Sequence, residues 1–428
     1  MGKDIHDTDI TDAKVIDSTG DKVTDADYSF EPVPVTARKG VLSFLVVMLG
    51  FTFNSAGMNV GARIGVSADF ANFIYALLLG GLFLALFTGA LAYIGCRTGM
   101  SFDQLTRRSF GSQGSKIPSF FISVTQVGWF GVCSAMFALP VADYLNCSPY
   151  VVIIIAGICM TSSAYVGFKG LEVISFIAVP LIIILGGWSV YLAMSGFGSI
   201  QDIFGKNTGE YDLNALVGLV IGSFISGGCS TPNFARFANT KINAVVGTVT
   251  AFLIGNSLML IFGAVGSAVT GKNDIFYSMM SQGLVLSAFV VLGANIWTTN
   301  DNALYTAGLG LSNIFSIRKK LMVLAGGTVG TICAFWIYEH FVGWLTVLSA
   351  TLPAVGIIMI LDYFVYPEKY RDGGDNKKWH LSAVAGTIAG MLMGNLVGYG
   401  SPGINSIVTG ATVWFIFKFF ERKRTSVR

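Results

Sequence analysis

The chain has 428 residues, 53% of them hydrophobic and only 12% charged, and its mean hydropathy is +0.66. Soluble domains carry about 25% charged residues, so the composition excludes an ordinary water-facing surface. A net charge of +3, with no basic stripe interleaved with aromatics, gives no support for a nucleic-acid partner.

Residues 1–37 hold nine acidic and three basic side chains and almost no apolar pattern. They read as a disordered acidic cytoplasmic tail, without the apolar core of a cleavable signal. Residues 38–420 form the transmembrane domain, and 421–428 a basic cytoplasmic tail. A bilayer span takes about 20 mostly apolar residues. Such stretches fall at 41–67, 71–95, 117–143, 149–168, 171–195, 213–238, 244–270, 283–312, 321–340, 342–365, 381–399 and 402–420. The expected fold is therefore an all-α polytopic membrane protein of twelve helices. With the N-terminus inside, twenty-one Lys and Arg fall on inner segments, and only Arg63, Lys206 and Lys272 on outer ones. That asymmetry follows the positive-inside rule and puts both termini in the cytoplasm. The 52 glycines suit closely packed helices in lipid.

The first span carries Gly50-Phe51-Thr52-Phe53-Asn54-Ser55-Ala56-Gly57, a polar patch between glycines. The sixth carries Gly222-Ser223-Phe224-Ile225-Ser226-Gly227-Gly228-Cys229-Ser230-Thr231-Pro232. Glycine and proline disfavour helix, so both spans are expected to unwind there. Helices 1 and 6 each open a unit of five helices, and an odd number gives the two units opposite topology. Broken helices at matching places in inverted repeats mark a midplane transport site. Helices 11 and 12 are then an appendage to a five-plus-five repeat.

The eighth span interrupts its apolar run with Thr298-Thr299-Asn300-Asp301-Asn302. Such polarity is expensive in lipid unless it faces a cavity or a partner. The Thr298 and Thr299 hydroxyls, the Asn295 carbonyl one turn earlier and first-helix carbonyls around Phe53 and Asn54 would give an uncharged oxygen cage. That cage suits a monovalent cation, since calcium and magnesium recruit carboxylates. The alternative is that both threonines bond back to their own helix. Asp301 reads as a paired structural group, with proton transfer as its other reading.

Gln126 and Trp129 in the third span lie three apart and share a helix face. An indole beside an amide suits a flat heterocycle, the ring stacking and the amide reading its hydrogen-bonding edge. Phe224 could close the sandwich, and Ser223 and Ser226 offer further polar groups. Six cysteines stand singly and three histidines are scattered, so neither metal nor disulfide spacing appears. GxSxG, HExxH and Walker A sequences are absent, so no enzyme is expected. Uphill movement would draw on an ion gradient, with no other cofactor.

Pro32-Val33-Pro34, Ala37-Arg38-Lys39-Gly40, Thr125-Gln126-Val127-Gly128-Trp129-Phe130-Gly131-Val132, Gly222-Ser223-Phe224-Ile225-Ser226 and Asn295-Ile296-Trp297-Thr298-Thr299-Asn300-Asp301-Asn302-Ala303-Leu304-Tyr305 resemble the cytosine permeases of the nucleobase–cation symporter family. The resemblance runs from about Pro32 to the last helix. It implies the leucine-transporter-like fold and sodium-coupled cytosine import across the bacterial inner membrane by a monomer in contact with lipid. Proton coupling, or a related ring such as uracil, hydantoin, allantoin or a purine, is the alternative. Substrate would sit between Trp129 and Phe224, with Gln126, Ser223, Ser226 and Asn300 as polar contacts. Sodium would fall on Asn295, Thr298, Thr299 and a first-helix carbonyl near Asn54. Asn54 departs from the family pattern, which has an aromatic there.

Overall fold

The computed structural model describes residue 28 and residues 31–166, 171–205, 209–371 and 377–426; the side chains of 166, 171–179 and 422–426 lie outside that description. Most of the expected acidic tail is therefore outside it. The last residues placed in that tail are packed, not free: Val33 is buried and its N–H donates to Gly99 O at 2.9 Å. A short 3-10 turn at Val35–Ala37 follows, and Arg38 donates to Cys96 O at 2.7 Å.

Each expected apolar stretch is helical over most of its length. The first is a pair, α1 (Val41–Thr52) and α2 (Ser55–Ser67), bent by 48°. Then come α3 (Phe70–Thr98), the short amphipathic α4 (Phe102–Phe110), α5 (Lys116–Leu145), α6 (Pro149–Val166), α7 (Leu171–Met194) and α8 (Ile200–Phe204). The second half begins with α9 (Leu213–Cys229) and α10 (Pro232–Ala235). The seventh stretch is α11 (Lys241–Thr250), a π-helical segment Ala251–Asn256 and α12 (Ser257–Thr270). After α13 (Ile275–Ser281), the eighth is α14 (Val285–Ser287), a π-helical segment Ala288–Leu292 and α15 (Gly293–Phe315). The remainder are α16 (Lys319–Glu339), α17 (Phe341–Val365), α18 (Leu381–Leu396) and α19 (Pro402–Ser426). Among the described residues, six helical stretches (Lys241–Thr270 counted as one), and a seventh span when α1 and α2 count as one, are long and apolar enough to cross a bilayer. On α3, Leu78, Leu82 and Leu86 are 62%, 50% and 66% exposed at intervals of four. An apolar stripe left uncovered on a helix face belongs against lipid tails.

Small residues set the closest approach. A Cβ on Gly61 of α2 would lie 2.1 Å from Leu260 O, and one on Gly263 of α12 would lie 1.8 Å from Met58 O. The two backbones are in direct contact, which only glycine permits. At the start of α13, buried Asp274 ties several elements together. Its Oδ2 accepts from Asn59 Nδ2 (2.7 Å) on α2 and from Tyr338 OH (2.6 Å) on α16. Tyr277 OH donates to Asp143 Oδ2 at the end of α5, and Ser189 of α7 donates to Gln282 Oε1 at 2.6 Å.

Candidate substrate and ion site

Two helix breaks were expected, and the first lies where the sequence puts it. Residues Phe53 and Asn54 separate α1 from α2. The Asn54 N–H turns back to Thr52 O (3.0 Å) and the Ser55 N–H goes to Asn295 Oδ1 (2.7 Å). The carbonyls of Gly50 and Phe51 thereby lose the donors that a continuing helix would supply. Asn295 on α15 spans the gap: besides accepting from Ser55 N and Ser55 Oγ, its Nδ2 donates to Phe53 O at 2.9 Å. Asn54 is not free as a side-chain ligand, because its Oδ1 caps α2 by accepting from Gly57 N at 2.6 Å.

The second break falls at the C-terminal end of the expected segment rather than among its glycines. Gly222 through Cys229 continue regular helix, and α9 ends only at Ser230–Thr231, just before Pro232. The glycines serve contact instead. A Cβ on Gly222 would lie 2.4 Å from Leu345 O, and one on Gly227 would lie 2.5 Å from the Phe224 ring. The backbone around Ser223 and Ser226 is therefore not unwound, and Ser223 Oγ bonds back to Val220 O at 2.6 Å.

Helix 8 also differs from expectation. The polar run does not interrupt it: α15 is continuous through Thr298–Asn302, and the irregularity is the π segment one turn before Asn295. Thr298 and Thr299 both donate to Asn295 O at 2.9 Å, which is the back-bonding alternative. Back-bonding disposes of each hydroxyl proton and leaves the oxygen lone pairs available, as a cation ligand requires. Asp301 is paired, its Oδ1 accepting from Ser163 Oγ at 2.7 Å, and Trp297 Nε1 donates to the same hydroxyl at 2.8 Å.

The residues expected to hold a ring lie on α5, α9 and α15. Trp129 is buried, with Nε1 donating to Ser226 Oγ at 2.9 Å, so helix 6 fixes the indole of helix 3. Phe341 and Trp344 of α17 hold the same indole edge-on, with centroids at 6.0 and 4.7 Å. Phe224 stands edge-on to Phe51 (5.0 Å) and Phe252 (5.1 Å). Gln126 is buried on the Trp129 helix, and its amide makes no hydrogen bond among the described residues. Asn300 is wholly buried; its Nδ2 reaches Ser134 Oγ (3.1 Å) and Phe130 O (3.3 Å), while its Oδ1 has no partner. Buried amides are normally paired; Asn300 Oδ1 is an unused acceptor where α15 meets α5 and α6, and Gln126 lies one helical turn from Trp129. Sequence reasoning missed Phe341, Trp344, Phe51 and Phe252. Only Phe51, inside the glycine-flanked patch, had a local signal.

Residues 32–419 match the family described as permeases for cytosine/purines, uracil, thiamine and allantoin. The cytosine permease of Escherichia coli strain K12 is 43% identical over 406 residues, covering 94% of this chain and 96% of that permease. The solved structure of Mhp1 in an inward-facing conformation is similar with a TM-score of 0.80 at 17% identity, covering 92% of this chain and 93% of Mhp1. Mhp1 in a closed conformation with bromovinylhydantoin bound, a nucleobase-cation-symport-1 family transporter, gives 0.76 at 19% identity over 90% and 92% of the two chains. At such identities the likeness concerns the fold, which is the leucine-transporter-like arrangement anticipated from the sequence.

Proposed function

This chain belongs to the family of permeases for cytosine/purines, uracil, thiamine and allantoin, so it is a transporter and not an enzyme, and on that premise we propose that it imports cytosine with sodium by alternating access. The observation that carries the substrate half is buried Gln126 one helical turn from Trp129, with Asn300 Oδ1 as a second amide group left unpaired. A flat base held between Trp129 and Phe224 presents donors and acceptors at its edge. An amide offers both kinds of group, and the Ser223 and Ser226 hydroxyls extend that polar rim. Specificity among related rings would follow from these few contacts.

The ion half rests on the first-helix break. Asn295 O, Thr298 Oγ1 and Thr299 Oγ1 lie on the helix that clasps the break. Together with a carbonyl near Asn54, they make an uncharged oxygen set suited to sodium. The charge asymmetry of the connections supports cytoplasmic termini and an inner-membrane location. Lipid surrounds the exposed apolar faces, and a single chain holds the whole site.

The test is uptake of labelled cytosine into proteoliposomes, with inward sodium or proton gradients imposed separately. Uptake should follow the sodium gradient and be competed by cytosine far better than by uracil, hydantoin, allantoin or purines. Uptake driven by protons and indifferent to sodium would discard the ion assignment and bring Asp301 forward. Stronger competition by another ring would replace cytosine.

A further inference from the structure

The loop between α4 and α5 lies against the segment that leads into α18. Gly111 makes that contact: at φ +88° it presses on the backbone of Lys377 and Lys378, and a Cβ there would lie 2.7 Å from both carbonyl oxygens. Only a residue without a side chain takes this conformation so close to another backbone. Three N–H groups complete the seam, Ser112 donating to Lys377 O at 3.1 Å and Gln113 and Gly114 to Lys378 O at 2.9 and 3.2 Å. Gln113 O in turn accepts from Lys116 N at the start of α5, so Lys377 and Lys378 are held beside Lys116.

Next to this seam is a groove of about 400 Å³. Gln113 and Lys116 form its polar edge, and Ile117, Phe120 and Phe121 of α5, Ile314 of α15 and Trp379 form its apolar floor. No carboxylate lines it, and the Lys116 and Lys378 side chains make no hydrogen bond or ion pair among the described residues. Phe120 and Trp379 are 47% and 50% exposed, and Val124, one turn further along α5, is 48% exposed. Because α5 is long and apolar enough to span a bilayer, the groove opens where that span begins, and its floor continues into the lipid-facing stripe. Tryptophan concentrates at that depth of a membrane, and basic pockets between spans attract anionic headgroups.

We propose that this groove holds one anionic phospholipid, its phosphate between Lys116 and Lys378 and an acyl chain along Phe120 and Val124. A free phosphate or an acidic peptide would use the lysines and leave the apolar floor bare. A zwitterionic lipid would use the floor and bring its own cation to the lysines. Only a negatively charged lipid matches both halves. Bound there, it would join the start of α5, which carries Gln126 and Trp129, to the end of α15, which carries Thr298 and Thr299. The inference needs only that the chain lies in a bilayer and is independent of which base or ion is carried.

Trp379 is one of seven tryptophans, so its share of the fluorescence is read as the difference between the full-length chain and its Trp379→Phe variant. In detergent, phosphatidylglycerol brominated on its acyl chains should quench that share at a concentration at least about tenfold lower than brominated phosphatidylcholine. Lys116→Gln combined with Lys378→Gln should bring the two lipids within about twofold of each other. Lys116→Arg combined with Lys378→Arg should keep the preference. Lys39→Gln combined with Lys241→Gln removes equal charge at the starts of α1 and α11, and should leave the preference unchanged. Equal quenching by the two lipids in the wild type would overturn the proposal and leave the lysines to the acidic residues at the start of the chain. A preference that survives in the Lys116 and Lys378 glutamine variant, or disappears in the Lys39 and Lys241 variant, would overturn it too. So would displacement of the lipid by an equal concentration of glycerol phosphate, which would show a phosphate site with no use for the acyl chain.

Discussion

Asn295 performs with one amide what the broken first helix cannot do for itself, satisfying a carbonyl at the end of α1 and an N–H at the start of α2. Leaving a buried polar group unpaired costs about 1–3 kcal/mol. Asn295→Leu strands both Phe53 O and Ser55 N, so it should destabilise the protein by roughly 2–5 kcal/mol, seen as a melting temperature several degrees lower. A melting point equal to wild type would show that the break does not depend on this clasp. Ser226 acts more weakly, by orienting Trp129 through a single hydrogen bond. Removing one neutral hydrogen bond costs about 0.5–1.5 kcal/mol. Ser226→Ala should therefore raise the KM for cytosine about 3- to 10-fold with little change in maximal rate, whereas Trp129→Ala should abolish measurable binding. Thr299→Ala should weaken the sodium dependence of uptake more than its saturating rate; the reverse pattern in sodium titrations would separate Thr299 from the ion.

Helices were legible from apolar length alone, because a bilayer sets their period and extent. Their irregularities were legible only where a polar side chain ends one helix by capping the next. At Asn54 the side chain caps a new helix, and the break followed from the sequence. At Gly222–Gly228 the same abundance of glycine reports contact with Leu345 and Phe224, not unwinding, and a single sequence does not distinguish the two uses. At Thr298–Thr299 the hydroxyls return to Asn295 O, so a polar run passes through the membrane as intact helix. The π segments of helices 7 and 8 have apolar sequences and gave no warning. Glycines in contact and glycines in open space should respond oppositely to substitution. Gly61→Ala drives a methyl to 2.1 Å from Leu260 O and should cost about 1–3 kcal/mol as overpacking. Gly50→Ala meets nothing within 4 Å and gains helix propensity of up to about 1 kcal/mol. Thermal melts that ranked Gly50→Ala below Gly61→Ala would contradict the packing of α2 on α12.

Across the whole molecule, Asp274 and α13 join α2 to α5 and α16 on one side of the helix bundle. The alternating access and orientation proposed above require these elements to part, so the network should set how often the outer path opens. Tyr338→Phe removes one donor from the carboxylate while keeping the ring on which Arg63 rests at 5.6 Å. Above the pH at which the closed-state carboxyl ionises, a hydrogen bond to that charge contributes about 1.5–3 kcal/mol, and the outward-open population should rise at least about tenfold. The sign of the pH effect follows from Asp274, which lies in the connection between α12 and α13. Burial pushes its carboxyl above the usual carboxylate range, against the opposing pull of the Tyr338 hydroxyl, the Asn59 amide, the Phe276 N–H and the Arg63 charge. In the open state the carboxyl meets water and returns toward its ordinary value, so the closed state holds the proton more tightly. Lower pH therefore favours closure, and rising pH favours opening, until the closed-state carboxyl is itself ionised. A cysteine introduced at Ser223, with the six native cysteines replaced, should react with an impermeant thiol reagent from outside faster in Tyr338→Phe than in the parent. Once the rise in thiolate with pH is divided out, its rate should still rise with pH in the parent and not in Asp274→Asn. Equal rates in the parent and Tyr338→Phe would show that α13 follows the opening and does not control it.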